Sequence, residues 1–316
     1  MKYYVGFDMG GTTIKYGVID AAGKIVTKDA VPTEKEKKPL LVSMRKVITA
    51  YRKQYDIAGV GVSIPGIVRR DGFMITAGAI KCLNGFPLAD KLSTMTDLPV
   101  HVENDANAAA IAEHWLGNAQ GVDDYICVVL GTGVGGGIVI NGDVYRGAHG
   151  MAGEFGWTIT HDFDLTKDLE DASLNWHAAV VSGLVHRYNE SAKQVYPKDA
   201  EVTDAREIIQ LARDNDPIAA PVLNQFMEDI SIMVVNMFAS FDPELILIGG
   251  GISANDVFMG MLMDKIREFL TRHKSLNYIK DKALGHVKST GLHNDAGLIG
   301  AVYPLVRAAK AEKKLA

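Results

Sequence analysis

At 316 residues, with 47% apolar and 22% charged side chains, the chain has an ordinary globular make-up and room for two domains. Its net charge of −5 gives no reason to expect nucleic acid or an anionic membrane as a partner, and no apolar run approaches the roughly 18 residues of a membrane span. The two cysteines, Cys82 and Cys127, are far apart, and no leader pattern marks Met1 to Phe7, so we expect a reduced, cytoplasmic protein without disulfides or a cysteine metal site.

In chain order, Lys2 to Asp8 reads as a buried strand, and Ile14 to Asp20 with Lys24 to Asp29 as hairpin arms around Ala21-Ala22-Gly23. From Pro39 to Tyr55, Leu40, Leu41, Met44, Val47, Ile48, Tyr51 and Tyr55 recur at helical spacing, which predicts an amphipathic helix. Ile57 to Ile64 is a strand closed by Pro65-Gly66, and Leu98 to Val102 is another that runs into Glu103-Asn104-Asp105. Ala106 to Leu116 follows as a helix, with Asn104 or Asp105 available to cap it. The second half begins with a strand at Tyr125 to Leu130. A polar segment from His161 to Asp171 then leads to helices around Leu174 to Tyr188, Ala205 to Arg213 and Ile218 to Ser240. Leu245 to Ile248 is a buried strand after Asp242-Pro243; Val257 to Thr271 and Leu298 to Ala309 read as helices. Strands interleaved with helices make the chain α/β.

Three glycine-bearing stretches stand out: Asp8-Met9-Gly10-Gly11-Thr12-Thr13, Gly131-Thr132-Gly133-Val134-Gly135-Gly136-Gly137 and Gly249-Gly250-Gly251. The first two each follow a short apolar run, turn through Gly and Thr, and continue as an alternating strand; Val18-Ile19-Asp20 matches Val139-Ile140-Asn141 at one constant offset. Such a turn leaves backbone N–H groups and hydroxyls to face an anion. Two of them imply a duplicated core that grips one polyphosphate. Gly131, Gly133 and Gly136 spell a dinucleotide fingerprint by letter, but a strand follows where that motif needs a helix, and no P-loop sequence exists.

Asp8, at a strand end before two glycines, suits a hydrated Mg²⁺, which prefers few protein oxygens; the plainer alternative is a turn aspartate. Gly249 to Gly251 can lie against a flat adenosine ring, or simply turn the chain from strand to helix. Asp105 is the candidate base of a phosphoryl transfer, at a helix N-terminus that favours its ionised form; the plainer alternative is an N-cap. Glu154 lies among Gly147, Gly150, Gly153 and Gly156, where a carboxylate can accept hydrogen bonds from sugar hydroxyls or stand in solvent. The histidines, His149 included, show no metal-type spacing, so no zinc site is expected.

With these motifs in this order, together with Glu103-Asn104-Asp105-Ala106-Asn107, Gly153-Glu154-Phe155-Gly156 and Asp242-Pro243-Glu244 to Gly251, the chain resembles the ROK family of bacterial sugar kinases over nearly all its length. The resemblance implies the two-domain actin-like ATPase fold (hexokinase-type, ribonuclease H-like), with a sugar- and phosphate-side domain at about 1–112 and a nucleotide-binding domain at about 113–297. A last helix at about 298–316 would pack back on the first. It implies ATP and Mg²⁺ as cofactors and a small-molecule sugar as partner, without nucleic acid or membrane, and leaves a homodimer open. Asp105 would be the general base. Gly66, Asn84, Asn104, Glu154 and Glu170 would border the sugar together with Asp105. Asp8, through water, would hold Mg²⁺, while Gly10, Gly11, Thr12, Thr13, Thr132, Gly133 and Gly249 to Gly251 would hold the nucleotide.

The chain departs from the family pattern in two places. Many members follow the Gly-Glu-x-Gly element with a His and a Cys-rich zinc loop; here Trp157 takes the His position and no Cys lies between Trp157 and Glu170. No zinc is expected, and Trp157 either stacks on a second sugar or aglycone or packs in the core. The chain also starts on its first core strand, so we expect no repressor role of the kind that needs a DNA-reading domain. These readings favour phosphorylation of O6 of glucose or a β-glucoside. An N-acylmannosamine is the alternative substrate, and a non-catalytic sugar sensor the alternative class.

Overall fold

The computed structural model describes residues 2–161, 164–196 and 201–315. It opens with β1 (Tyr3–Met9), β2 (Thr13–Asp20), β3 (Ile25–Pro32), α1 (Lys37–Arg52), β4 (Ile57–Ile64), the short pair β5 (Phe73–Met74) and β6 (Phe86–Pro87), α2 (Leu88–Thr96), β7 (Val100–Asn104) and α3 (Asp105–Leu116). Then come β8 (Tyr125–Leu130), β9 (Val134–Ile140), β10 (Asp143–Val144), α4 (Leu174–His177), a π-helical turn at Val180–Val185, α5 (His186–Ala192), α6 (Ala205–Arg213) and α7 (Ala219–Phe241). The chain closes with β11 (Leu245–Gly249), α8 (Asp256–Arg272), α9 (Lys274–Ile279), β12 (His286–Ser289) and α10 (Ala296–Leu315). Two compact units result, one of Met1–Gly121, Gly137–Ala152 and Asn294–Ala316, the other of Val122–Gly136 and Gly153–His293.

In the first unit the sheet order is β3-β2-β1-β4-β7, with the hairpin strands antiparallel and β1, β4 and β7 parallel. Strand alternation sends Val5, Phe7, Val60 and Val62 to one face, where they pack with Leu40, Met44 and Ile48 of α1. A 16-residue helix is marginal alone; burying Leu40, Leu41, Met44 and Ile48, at about 1.5–3 kcal/mol each, decides that α1 forms. Tyr4 and Ile19 face the other side and meet Val302 and Val306 of α10. That helix lies flush on the sheet because Gly61 has no side chain: a Cβ there would stand 2.3 Å from the Ala301 carbonyl oxygen.

The second sheet, β10-β9-β8-β11-β12, repeats the layout of the first: an antiparallel ladder of β9 and β10 at one end, and β8, β11 and β12 parallel. In the second unit Ile126, Val128, Ile246 and Ile248 pack with Phe226 and Ile230 of α7 and Phe258 and Leu262 of α8. Among the described residues no helix is long and apolar enough to cross a membrane. Neither Cys82 nor Cys127 is in a disulfide.

The helix expected from Leu174 to Tyr188 is broken into α4, the π-helical turn and part of α5. The cause is tertiary: the Gly131 carbonyl takes the N–H groups of Val180 (2.9 Å) and Val181 (3.2 Å), which pulls that backbone out of an α ladder. α2, α9 and β12 were not foreseen. Asp162 and Phe163, in the polar segment read from His161 to Asp171, lie outside the described residues.

Candidate active site

In the first unit, parallel pairing puts Asp8 opposite Ser63 and Ser63 opposite Glu103, so Asp8, Pro65-Gly66 and Asn104-Asp105 gather at the carboxyl ends of β1, β4 and β7. Ligands of open α/β sheets bind at such ends. Asp8 Oδ1 accepts from Ser63 Oγ (3.2 Å), and Oδ2 lies 3.6 Å from Lys15 Nζ. Burial raises the Asp8 carboxyl above the ordinary aspartate range, an effect that Lys15 and Ser63 offset only in part. A carboxylate with burial in excess of its partners gains from a nearby cation, so Asp8 fits a hydrated Mg²⁺.

The turn after Asp8 is tied from behind. Thr33 Oγ1 donates to the Gly10 carbonyl (2.7 Å), Lys35 Nζ to that of Gly11 (2.7 Å), and Thr33 N–H to that of Thr12 (2.9 Å). With the carbonyls turned back, the amides of Gly11 and Thr12 have no acceptor among the described residues, which suits an anion. Thr13 begins β2, and its carbonyl accepts from Gly10 N–H (2.9 Å). Thr33, Lys35 and Ser63 escaped the sequence reading because their contacts are made across the sheet.

Asn104, not Asp105, is the N-cap of α3: its Oδ1 accepts from Ala106 N–H (2.9 Å) and Asn107 N–H (3.0 Å). Its Nδ2 donates to the Gly66 carbonyl (3.0 Å) and so joins β7 to the Pro65-Gly66 loop. Gly66 is required there: its φ is 102°, and a Cβ would stand 2.5 Å from the Thr76 carbonyl oxygen. Asn84 fastens the next loop, accepting from Ala77 N–H (2.8 Å). Asp105 Oδ1 accepts from Ala106 N–H (2.9 Å), while its side chain opens to solvent. Surrounding protein raises its carboxyl above the ordinary range; the Ala106 bond opposes this, and the Asp8 charge adds to it. Direct access to water tempers the effect, and the carboxylate is left a stronger base than a free aspartate.

Behind this turn Glu103 is only 2% exposed. Burial pushes its carboxyl up, but the His101 hydrogen bond and the Arg146 guanidinium outweigh burial and leave it below the ordinary glutamate range.

The second unit carries the other Gly-Thr turn. Thr132 is exposed, its carbonyl accepting from Ser182 Oγ (3.0 Å), and Asn175 Oδ1 accepts from Val134 N–H (2.9 Å) beside Gly133. Gly249 and Gly250 have packing reasons: a Cβ on Gly249 would stand 2.9 Å from Thr290, and one on Gly250, at φ 93°, 2.0 Å from the Leu130 carbonyl oxygen. Gly251 differs, with open space where its Cβ would be. Glu154 is half-buried and starts a 3₁₀ turn, Phe155–Trp157, that is pressed onto the beginning of β9: a Cβ on Gly156 would stand 2.8 Å from the Val134 carbonyl oxygen. Glu170 lies exposed in the 3₁₀ turn Leu169–Ala172, where Asp168 Oδ1 takes its N–H (3.0 Å). Trp157 is 52% exposed, which removes the core-packing alternative. His149 is exposed.

His161, His177 and Asp229 form a cluster that spacing did not reveal. His161 Nε2 is 3.0 Å from Asp229 Oδ1, and Arg187 Nη1 is 3.1 Å from Oδ2. The imidazoles stack at 3.7 Å and 15°, so their in-plane lone pairs do not converge on one point, and Arg187 already balances the Asp229 charge. We assign no metal there.

A family model described as "ROK family" matches residues 4–308. A glucokinase of Halalkalibacterium halodurans is 35% identical over 317 residues, covering 95% of this chain and 93% of that protein. A β-glucoside kinase of Listeria innocua is 34% identical over 299 residues, covering 94% and 95%. Among solved structures, a ROK family glucokinase from Streptomyces griseus in complex with glucose and AMPPNP superposes with a TM-score of 0.76 at 29% identity, covering 96% of this chain and 98% of that one.

Proposed function

The chain belongs to the ROK family, and from that premise we propose that it transfers the γ-phosphoryl group of ATP, with Mg²⁺, to O6 of glucose or a β-glucoside, with Asp105 as general base. It is a sugar kinase with the actin-like ATPase fold. One observation carries the assignment of the base. Asn104 has taken over the capping of α3, so Asp105 keeps Oδ2 for another proton, on the same sheet end as Asp8.

In this reading Asp105 Oδ2 takes the proton of the sugar hydroxyl as its oxygen forms a bond to the γ-phosphorus. The bond from that phosphorus to the bridging oxygen breaks, and ADP leaves. Asp8 would hold Mg²⁺ through water, and the ion would supply charge neutralisation on the phosphates. The amides of Gly11 and Thr12, with Gly10 and Thr13 shaping their turn, and Thr132 with Gly133, attend the phosphates. Gly251 offers its open face to the adenosine, with Gly249 and Gly250 positioning it. Gly66, Asn84, Asn104, Glu154 and Glu170 border the sugar. Glucose and β-glucosides are chosen because two similar relatives bear those names, and because an exposed Trp157 beside Glu154 offers an aromatic face to a β-linked substituent. ATP use, two cysteines outside any disulfide and net charge −5 fit a cytoplasmic protein, without nucleic acid or membrane as partner.

The test is ADP release over glucose, cellobiose, aryl β-glucosides and N-acetylmannosamine, with the product located by NMR. Turnover confined to N-acetylmannosamine would overturn the sugar assignment. Chelation should abolish turnover and added Mg²⁺ restore it; elemental analysis finding one zinc per chain would overturn the zinc-free reading.

A further inference from the structure

Glu103 joins four residues of the first unit. Its Oε1 accepts from Asn104 N–H (3.2 Å) and from Asn107 Nδ2 (3.2 Å), the latter on the first turn of α3. Its Oε2 accepts from Arg146 Nε (3.1 Å) and Nη2, in the segment after β10, and lies 3.3 Å from His101 Nε2 on β7. A charge this buried persists only with a cation and several donors around it. The nearby acid Asp143 is already paired with Arg307, which leaves Arg146 to Glu103. Asp105, by contrast, is held from within the turn itself, by Ala106 N–H (2.9 Å) and the neighbouring Asn104 side chain, so the turn that Glu103 fastens sets its direction.

We propose that Arg146 is a positioning residue for phosphoryl transfer: by neutralising Glu103 it fixes the Asn104-Asp105 turn from which the base reaches the sugar hydroxyl. The inference rests on the reading of Asp105 as base. Arg146 touches neither sugar nor phosphate in this role. Its loss strands an ionised carboxylate one residue from the cap and two from the base, and catalysis is then coupled to the protonation of Glu103. The ionisable groups around that carboxylate are His101 on β7, Arg146 on the segment after β10, and Asp105 on α3. His101 brings one ring nitrogen to Glu103, at 3.3 Å, where Arg146 brings two guanidinium donors.

The experiment compares Arg146→Met, Arg146→Lys and the double variant Arg146→Met/Glu103→Gln. We expect Arg146→Met to lower kcat by about 10-fold or more, with KM for ATP within about twofold of wild type. Its activity relative to wild type should fall further as pH rises from about 6 to about 9, as the stranded Glu103 ionises. Arg146→Lys should recover most of the kcat and the wild-type pH profile. The double variant, with neither charge, should lose the added pH limb. A folded Arg146→Met with kcat within twofold of wild type and a superimposable pH profile overturns the proposal, whatever its Tm. Should Arg146→Met not fold, the double variant decides: about fivefold or greater loss of kcat supports positioning, and a wild-type kcat overturns it. Asp105→Asn run in parallel separates the two readings. If it is inactive while Arg146→Met is unaffected, only positioning fails; if it is fully active, the assignment of the base fails.

Discussion

The two Gly-Thr turns occupy equivalent places in two copies of one strand layout, but they differ in what stands before them. Asp8 lies before the first, opposite Ser63 on the neighbouring parallel strand. Counting back from the match of Val18 with Val139, Val129 lies before the second, opposite Gly249. Both positions are half-buried, so burial alone does not explain the change from carboxylate to valine. The first turn is tied by Thr33 and Lys35, and the second by Asn175 and the π-helical turn. The Gly-Thr turn stands in both halves, while the proposed cation ligand and base lie in one.

The largest expected effect is at the base. Asp105→Asn should lower kcat by at least ~10²-fold with little change in sugar binding or Tm, since Asn104 remains the cap. Measured turnover within a few-fold of wild type would remove Asp105 from the mechanism and erase the chemical asymmetry between the halves.

Much of that asymmetry is written locally. The spacing of Asp8 to Gly10-Gly11 and the run Glu103-Asn104-Asp105 sit at strand ends, where residue type and hydrophobic pattern act together, and β4 and β8 have the bounds that pattern predicts. The choice between Asn104 and Asp105 as cap was not legible, because both residue types cap helices; the backbone geometry decided it. Arg146 was invisible for another reason: its partner lies 43 residues earlier, and one arginine in a loop has no local signature. The break between α4 and α5 was hidden in the same way, because a helical period cannot show that Gly131 draws off two backbone donors. β12, with the short polar sequence His286–Ser289, carries too little apolar pattern to announce a strand.

The next effect tests the second unit. Glu154→Ala should raise KM for the sugar by about 10-fold and lower kcat less, as expected for a lost hydroxyl contact. An unchanged KM would place the sugar elsewhere. The ties behind the turns should matter less still. Thr33→Val removes the Oγ1 bond to Gly10 and keeps the backbone bond to Thr12, so KM for ATP should rise about threefold. Asn175→Ala should do the same from the other half. A change in KM confined to one of the two would show that only that turn meets the phosphates.

The smallest effect is thermodynamic, and its sign separates Asp8 from Val129. Burial raises the Asp8 carboxyl in the folded protein, so the folded state binds that proton more readily than the unfolded one. Ionised Asp8 therefore costs stability at pH above its raised pKa, and the cost fades as pH falls through that value. Asp8→Asn removes the charge and keeps an acceptor for Ser63 Oγ; the Lys15 it leaves unpaired is 45% exposed, so that loss is slight. The Tm at pH 7.5 should accordingly rise by about 1–3 °C, the gain shrinking toward pH 4, while kcat falls and added Mg²⁺ no longer shifts the Tm in the presence of nucleotide. Val129→Asn should instead lower the Tm, since it puts an amide opposite Gly249, where no side chain can meet it. A lower Tm for Asp8→Asn at pH 7.5 would mean that the Lys15 pair outweighs burial, and the first turn would then carry no stored cost for a cation to relieve.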